Sequence, residues 1–232
     1  MSRLIATLVL CALSACTMAP PPPVAAPVAP VGPRPPVRQA VATFADVVAQ
    51  VEPVAEAECR ARAPRLNCDF LLVVDTAPGQ GINAYQTLDR SGRPVIAFTP
   101  GLIADARSAD EIAFVLGHEA AHHILGHIPR QGQSALAGAL VMGALAAASG
   151  ADADGVRTMQ DIGAKVGART FSRDFELEAD ALGTVIAHRA GYDARRGAGF
   201  FARLPDPGNR FLGSHPPNAQ RIATVERVLA GL

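Results

Sequence analysis

Apolar positions along the chain change their spacing several times, and each change marks an expected element. Residues 4–13 (LIATLVLCAL) are almost unbroken in apolar character and follow a single cation, Arg3. A mature spanning helix needs about 20 such residues, so this run has the form of an export signal. Residues 19–37 (APPPPVAAPVAPVGPRPPV) lose all periodicity. Their proline density favours extended polyproline II and excludes a packed core. Helical spacing begins near residue 40, where Val47, Val48, Val51 and Val54 recur turn by turn until residue 62. Pro53 is a point where that helix is expected to kink or split. Residues 70–74 (FLLVV) form a solid apolar run, expected as a buried strand. Residues 82–88 and 94–99 are two further strands, joined by the turn Asp89-Arg90-Ser91-Gly92. A small, mostly antiparallel sheet is expected from these.

The rest of the pattern is helical. Ser108 followed three residues later by Glu111 has the spacing of a capping box. It opens a helix expected over 109–127 and ended by Pro129. Ile112, Phe114, Val115, Leu116, Ile124 and Leu125 surround that helix with apolar groups, so it is expected to be largely buried. Residues 134–149 (SALAGALVMGALAAAS) carry no charge and are too short to cross a bilayer. The plain expectation is a tightly packed core helix; the alternative is a segment that covers a cleft or touches lipid. Helical spacing resumes over 156–189, with a break near Ser172, and again over 194–204 and 217–230. Strands followed by helices give an α+β class, with one domain over 38–232.

Composition changes this picture in two places. Lys+Arg and Asp+Glu are both 21, so no basic excess is available for nucleic acid, and none is expected as a partner. The four cysteines divide by position. Cys11 lies in the apolar run. Cys16 follows Leu13-Ser14-Ala15, and the set resembles a bacterial lipobox. On that resemblance residues 1–15 are a lipoprotein signal peptide, and 16–37 are a tether lipidated at Cys16. Thr17 in place of Asp favours the periplasmic face of the outer membrane, by likeness to Gram-negative lipoproteins. Cleavage near Ala15 or Ala19 without lipid is the alternative. Cys59 and Cys68 remain as an even pair in an exported chain, and a disulfide is expected between them rather than two free thiols.

Four of the six histidines lie within GHEAAHHILGH, residues 117–127. At about 100° per residue, His118 and His122 are about 40° apart on one helix face, within reach of a single metal ion. Glu119 beside them can serve as a base toward a water at that metal. His123 and His127 repeat the spacing on the opposite side, but Ile124 follows His123 and cannot act as a base. These two are expected to be packing or helix-end histidines. A catalytic zinc usually takes a third protein ligand. Within SRDFELEAD, residues 172–180, Glu176 and Asp180 share a helix face with Gly183 and Ala187. The small residues would let this helix approach the first one closely. Glu176 is the candidate carboxylate ligand, and Asp180 the candidate acceptor for a ligand histidine's second nitrogen. Glu178 is turned about 200° from Glu176 and cannot share its role.

GHEAAHH followed by SRDFELEADALG resembles the HtpX- and BepA-like zinc metallopeptidases, gluzincins related to the CAAX prenyl protease. Their SRxxExxAD pattern falls on Ser172 to Asp180, with the ligand glutamate at Glu176. Ile82-Asn83-Ala84-Tyr85 resembles the family's NAF-type strand. Ser214-His215-Pro216-Pro217, with Arg221, resembles its HPP…R motif. The likeness spans about residues 80–225. It implies a zincin-like (minigluzincin) domain with a small sheet on a mainly helical body. It also implies one Zn2+ per chain on His118, His122 and Glu176, with catalytic roles for Glu119, Asp180, Arg221 and His215. His215 is expected to donate to an oxyanion or to hold the open zinc position in a latent state; a structural loop histidine is the alternative. Arg221 is expected to reach the Glu176 and Asp180 carboxylates or the substrate backbone.

The function these residues imply is zinc-dependent endopeptidase action on misfolded or misassembled envelope polypeptides, by a protein held at the membrane through Cys16. Two other readings remain open at this point. One is a membrane-tethered binding or assembly factor with a latent metal site, which would have no need of Glu119 as a base. The other is a non-peptidase zinc hydrolase.

Overall fold

The helix that carries the histidine cluster runs through the centre of the molecule, and the other elements are laid around it. The computed structural model describes residues 32–170, 172–205 and 216–232. The signal, Cys16, most of the proline-rich tether and His215 lie outside the described residues. In chain order the elements are α1 (Val37–Arg62), β1 (Leu71–Val74), β2 (Ala84–Leu88), β3 (Pro94–Phe98), α2 (Pro100–Asp105) and α3 (Ala109–Ile124). α4 (His127–Ala148), α5 (Ala153–Thr170), α6 (Ser172–Arg189), α7 (Ala194–Arg203) and α8 (Asn218–Leu229) follow. α1 is one helix with Pro53 inside it, not split there.

The α+β class holds. The sheet is mixed rather than mostly antiparallel. β2 and β3 form the expected hairpin, but β1 lies on the far side of β3 and runs parallel to it. A strand's apolar pattern states which face is buried and says nothing of its partner's direction. Among the described residues, the order β1-β3-β2 leaves β2 at a free edge. Thr99 ties the start of β2 to the end of β3: its hydroxyl accepts from the Asn83 N–H at 3.0 Å and donates to the Gly81 carbonyl at 2.9 Å.

α3 starts as its sequence predicts. Ser108 is the N-cap, and its hydroxyl accepts the Glu111 N–H at 3.3 Å. The Glu111 carboxylate turns to the Arg107 N–H and to Arg203 instead of completing the box. The end of α3 differs from expectation. The helix stops at Ile124, and Gly126 adopts φ 66° before α4 begins at His127. A left-handed glycine reverses the chain there at little steric cost. Pro129 therefore sits in the first turn of α4, where a missing N–H loses no helical bond.

α3 is buried on both flanks. Ile112, Phe114 and Leu116 join Val47 and Val51 of α1, Ile96 and Phe98 of β3, Ile186 of α6 and Val225 of α8 in one core. The contact with α6 is closest at Gly117 and Gly183. A Cβ at Gly183 would lie 2.8 Å from the His118 backbone nitrogen, and one at Gly117 would lie 2.8 Å from the Gly183 carbonyl oxygen.

The apolar run 134–149 is not a core helix. It forms most of α4, which pairs with α5 as a hairpin on the surface. Leu136, Leu140, Val141 and Leu145 remain exposed. The two helices meet through glycines: a Cβ at Gly163 would land on the Gly138 carbonyl, and one at Gly167 on the Ser134 carbonyl. A run without polar contrast cannot indicate which of its faces is covered. Among the described residues no helix is long and apolar enough to cross a membrane.

Cys59 at the end of α1 is bonded to buried Cys68 before β1, with Cα atoms 5.7 Å apart. The bond anchors the loop that feeds the sheet. Replacing both cysteines by alanine is expected to lower unfolding free energy by about 2–3 kcal/mol. A denaturant midpoint equal to that of the oxidised wild type would refute this.

Candidate active site

α3 presents His118 and His122 one turn apart, and α6 crosses it with Glu176 above them. The His118 and His122 Nε2 atoms are 3.0 Å apart. The Glu176 carboxylate is 3.7 Å from the first and 3.5 Å from the second. These three groups could hold one metal ion. Ligand bonds of about 2.0–2.1 Å in a tetrahedral site put donor atoms roughly 3.3 Å apart, close to the spacing seen. With His118 donating from Nδ1 to Asp180 and His122 donating from Nδ1 to His127, two Nε2 lone pairs face each other at 3.0 Å and repel unless a cation lies between them, so the donor set fits a metal.

The residues behind these donors fix their direction. His118 Nδ1 is 2.9 Å from Asp180, which is fully buried. Arg221 of α8 closes on the same carboxylate with two bonds, Nε at 2.8 Å and Nη2 at 2.7 Å. Its guanidinium lies 3.4 Å above the ring of Phe201, a cation–π shelf supplied by α7. Burial works against the Asp180 anion, but hydrogen bonds from His118 and Arg221 outweigh it and hold the carboxyl below its ordinary range. Burial likewise opposes charge on His118, yet Asp180 and Glu176 together pull its pKa upward. The pocket thus favours a positive charge at this point. Burial, helped by His118, pushes the His122 imidazole down to about 3, which keeps it neutral and able to ligate.

His122 has a support that sequence reasoning missed. Its Nδ1 lies 2.8 Å from Nδ1 of His127, whose Nε2 lies 3.1 Å from Glu178. On one continuous helix His127 would stand about 140° from His122 and point away. The bend at Gly126 turns it back over the site. The i, i+4 spacing of His123 and His127 could not have signalled this; the sequence clue was Gly126, a residue suited to the left-handed turn found there. His123, by contrast, packs as expected: it donates to the Asn67 carbonyl at 2.8 Å and meets the Phe70 ring edge-on.

Glu119 is next to the donors and is not one of them. Burial pushes its carboxyl up to about 7, against the opposing influence of His118. A base poised near neutrality is suited to taking and returning a proton. The Gln86 backbone N–H on the β2 edge points at this carboxylate. Two clefts meet at Glu119. One, of about 260 Å³, runs along Ala84, Tyr85 and Gln86; the other, of about 250 Å³, passes Asn83, Phe200 and Arg221. A larger cavity of about 830 Å³ lies between α4, α5 and Phe175, and none of His118, His122 and Glu176 lines it.

The structure brings together His118, Glu119, His122, Glu176, Asp180 and Arg221 from three helices, as the sequence predicts, while His215 falls among residues not described. A histidine-pair helix crossed by a carboxylate-bearing helix, with an extended edge strand alongside, defines a metallopeptidase domain. The chain belongs to peptidase family M48, whose profile matches residues 42–229. It is similar to a Vibrio cholerae protein named as a beta-barrel assembly-enhancing protease, with 33% identity over 132 residues, 53% of this chain and 26% of that one. It is also similar to the mitochondrial metalloendopeptidase OMA1 of Arabidopsis thaliana, with 30% identity over 131 residues, 55% of this chain and 26% of the relative. The match thus spans about a quarter of the length of each of these relatives.

Arg221→Leu should leave Asp180 buried with half its partners gone. Breaking a buried ion pair from one side typically costs about 3–5 kcal/mol. Denaturant unfolding of the variant is expected to show a loss of that order, and a stability equal to wild type would mean that Arg221 does not compensate Asp180.

Proposed function

We propose that this chain is a zinc-dependent endopeptidase that hydrolyses peptide bonds of misfolded cell-envelope proteins. The observation that carries the reading is the position of Glu119. It lies half-buried between the three candidate donors and the edge of β2, where both clefts meet, and its carboxyl is pushed up to about 7. A binding module has no use for a carboxyl so placed.

His118, His122 and Glu176 would hold one zinc ion, and two nitrogens with one oxygen suit that metal while leaving a position open. Bound zinc would supply a Lewis acid that polarises the scissile carbonyl and acidifies water. Glu119 takes the proton of the attacking water and passes it to the leaving amine. Asp180, backed by Arg221, keeps the His118 proton on Nδ1 and the lone pair on Nε2. The β2 edge pairs with an extended substrate through backbone hydrogen bonds, which read no particular side chain. His215 lies outside the described residues; on the likeness of Ser214-His215-Pro216-Pro217 to the HPP motif it would serve as a donor to the oxyanion or as a latch on the open position, with a structural loop histidine as the alternative.

The envelope setting rests on the lipobox-like LSAC at residues 13–16 and the proline-rich segment behind it. It is supported by the Cys59–Cys68 bond, which fits an oxidising compartment, and by the assembly-enhancing name of the Vibrio relative. On this reading lipid on Cys16 anchors the domain at the periplasmic face of the outer membrane.

Glu119→Gln is expected to retain one zinc per chain and to lose unfolded-casein cleavage by several orders of magnitude. Zinc loss in the folded variant, or turnover near wild type, would remove Glu119 from the role of base. Cys16→Ser is expected to shift the protein out of the membrane fraction or leave an uncleaved precursor. Mass spectrometry that finds no acyl group on the wild-type Cys16 would end the anchoring proposal.

A further inference from the structure

We propose that His127 is a positioning residue for the metal site, holding the ligand His122 through a hydrogen-bonded chain that ends on Glu178. The inference rests on the reading of His118, His122 and Glu176 as metal donors, and its argument is one of proton placement. His122 turns Nε2 toward His118 and Glu176, at 3.0 and 3.5 Å. A neutral imidazole with its lone pair on Nε2 carries its proton on Nδ1. That N–H needs an acceptor, and the atom 2.8 Å away is His127 Nδ1. His127 then accepts on Nδ1 and must carry its own proton on Nε2. At 3.1 Å from Nε2 lies the Glu178 carboxylate. Each donor has one acceptor, and the chain can run in only one direction, outward from the metal donor.

The far end is held as firmly as the near one. Arg130 grips Glu178 with two bonds, Nη1 at 2.6 Å and Nη2 at 3.3 Å. The His127 ring lies flat on Phe175, centroids 4.7 Å apart and planes 10° from parallel. Arg130 sits over the same Phe175 ring at 4.3 Å. His127 is only 4% exposed, so water does not replace either of its partners. The two ligand histidines therefore receive the same support in different forms. His118 meets a carboxylate directly, whereas His122 meets one through an intervening imidazole. Partners of this kind typically change metal affinity by about 10–100-fold when removed.

Two substitutions separate positioning from packing. His127→Phe keeps a ring on Phe175 and removes the acceptor. His127→Asn removes the ring stack and places an amide oxygen near the position of Nδ1. Zinc affinity, measured by competition with a chromophoric chelator, is expected to fall about 10–100-fold in the Phe variant and to be largely retained in the Asn variant. Melting of the zinc-stripped proteins, measured alongside, reports packing alone and is expected to order the two variants the opposite way. Wild-type affinity in His127→Phe, or an equal loss in both variants, would overturn the proposal. Should either variant fail to fold, Glu178→Ala at a half-exposed position tests the same chain: weaker zinc binding at unchanged melting of the stripped protein supports it, and unchanged binding overturns it. Zinc binding that survives His122→Ala in an otherwise unchanged chain would instead remove the metal-site reading itself, an outcome distinct from failure at His127 alone.

Discussion

The close crossing of α3 and α6 at Gly117 and Gly183 is the constraint from which the site follows. Neither position leaves room for a Cβ, since each would press on backbone of the opposing helix. Side chains can flex away from a clash, but two helix backbones in contact cannot, so the approach requires glycine on both sides. Asp180 and Glu176 lie about one and two turns before Gly183 on the same face of α6. The crossing therefore delivers them directly over His118 and His122. A wider separation would leave the carboxylates out of reach of the imidazoles, however well each helix formed.

Bringing acids into the core at such a crossing is costly unless they are paired. Asp180 has no exposure, and its charge is met by Arg221, contributed by the last helix of the chain, and by His118. Phe201 supplies the surface on which the guanidinium rests. Three helices distant in sequence thus converge on one carboxylate, and Asp180 with Glu176 draws positive charge toward His118. The same field explains why neighbouring groups differ so much. The half-buried Glu119 carboxyl is pushed up to about 7 by its loss of water, while hydrogen bonds from His118 and Arg221 hold Asp180 low.

The α4–α5 hairpin stands apart from this logic. It is inserted between the two helices that carry the donors, and its own helices are locked by glycine contacts as tight as those at the site. Several of its apolar side chains, Leu136, Leu140, Val141 and Leu145 among them, are exposed. The base of the hairpin contributes to the site all the same, because His127 and Arg130 belong to the first turn of α4.

The sequence by itself determined the chemistry that depends on spacing within one helix. His118, Glu119 and His122 on α3, and Glu176 with Asp180 on α6, follow from a period of about 3.6 residues, and so does the small-residue face that lets the helices meet. The Ser108 cap, the β2–β3 hairpin and the pairing of Cys59 with Cys68 were legible for the same reason, since each depends on local pattern or on a count. Tertiary structure decided what depends on chain direction and on contacts between distant segments. The parallel placement of β1, the surface position of residues 134–149 and the seating of Arg221 on Phe201 all belong there. The turn of His127 back onto His122 is the clearest case. It arises from a single left-handed residue, Gly126, and a periodic pattern that assumes an unbroken helix points that imidazole the wrong way.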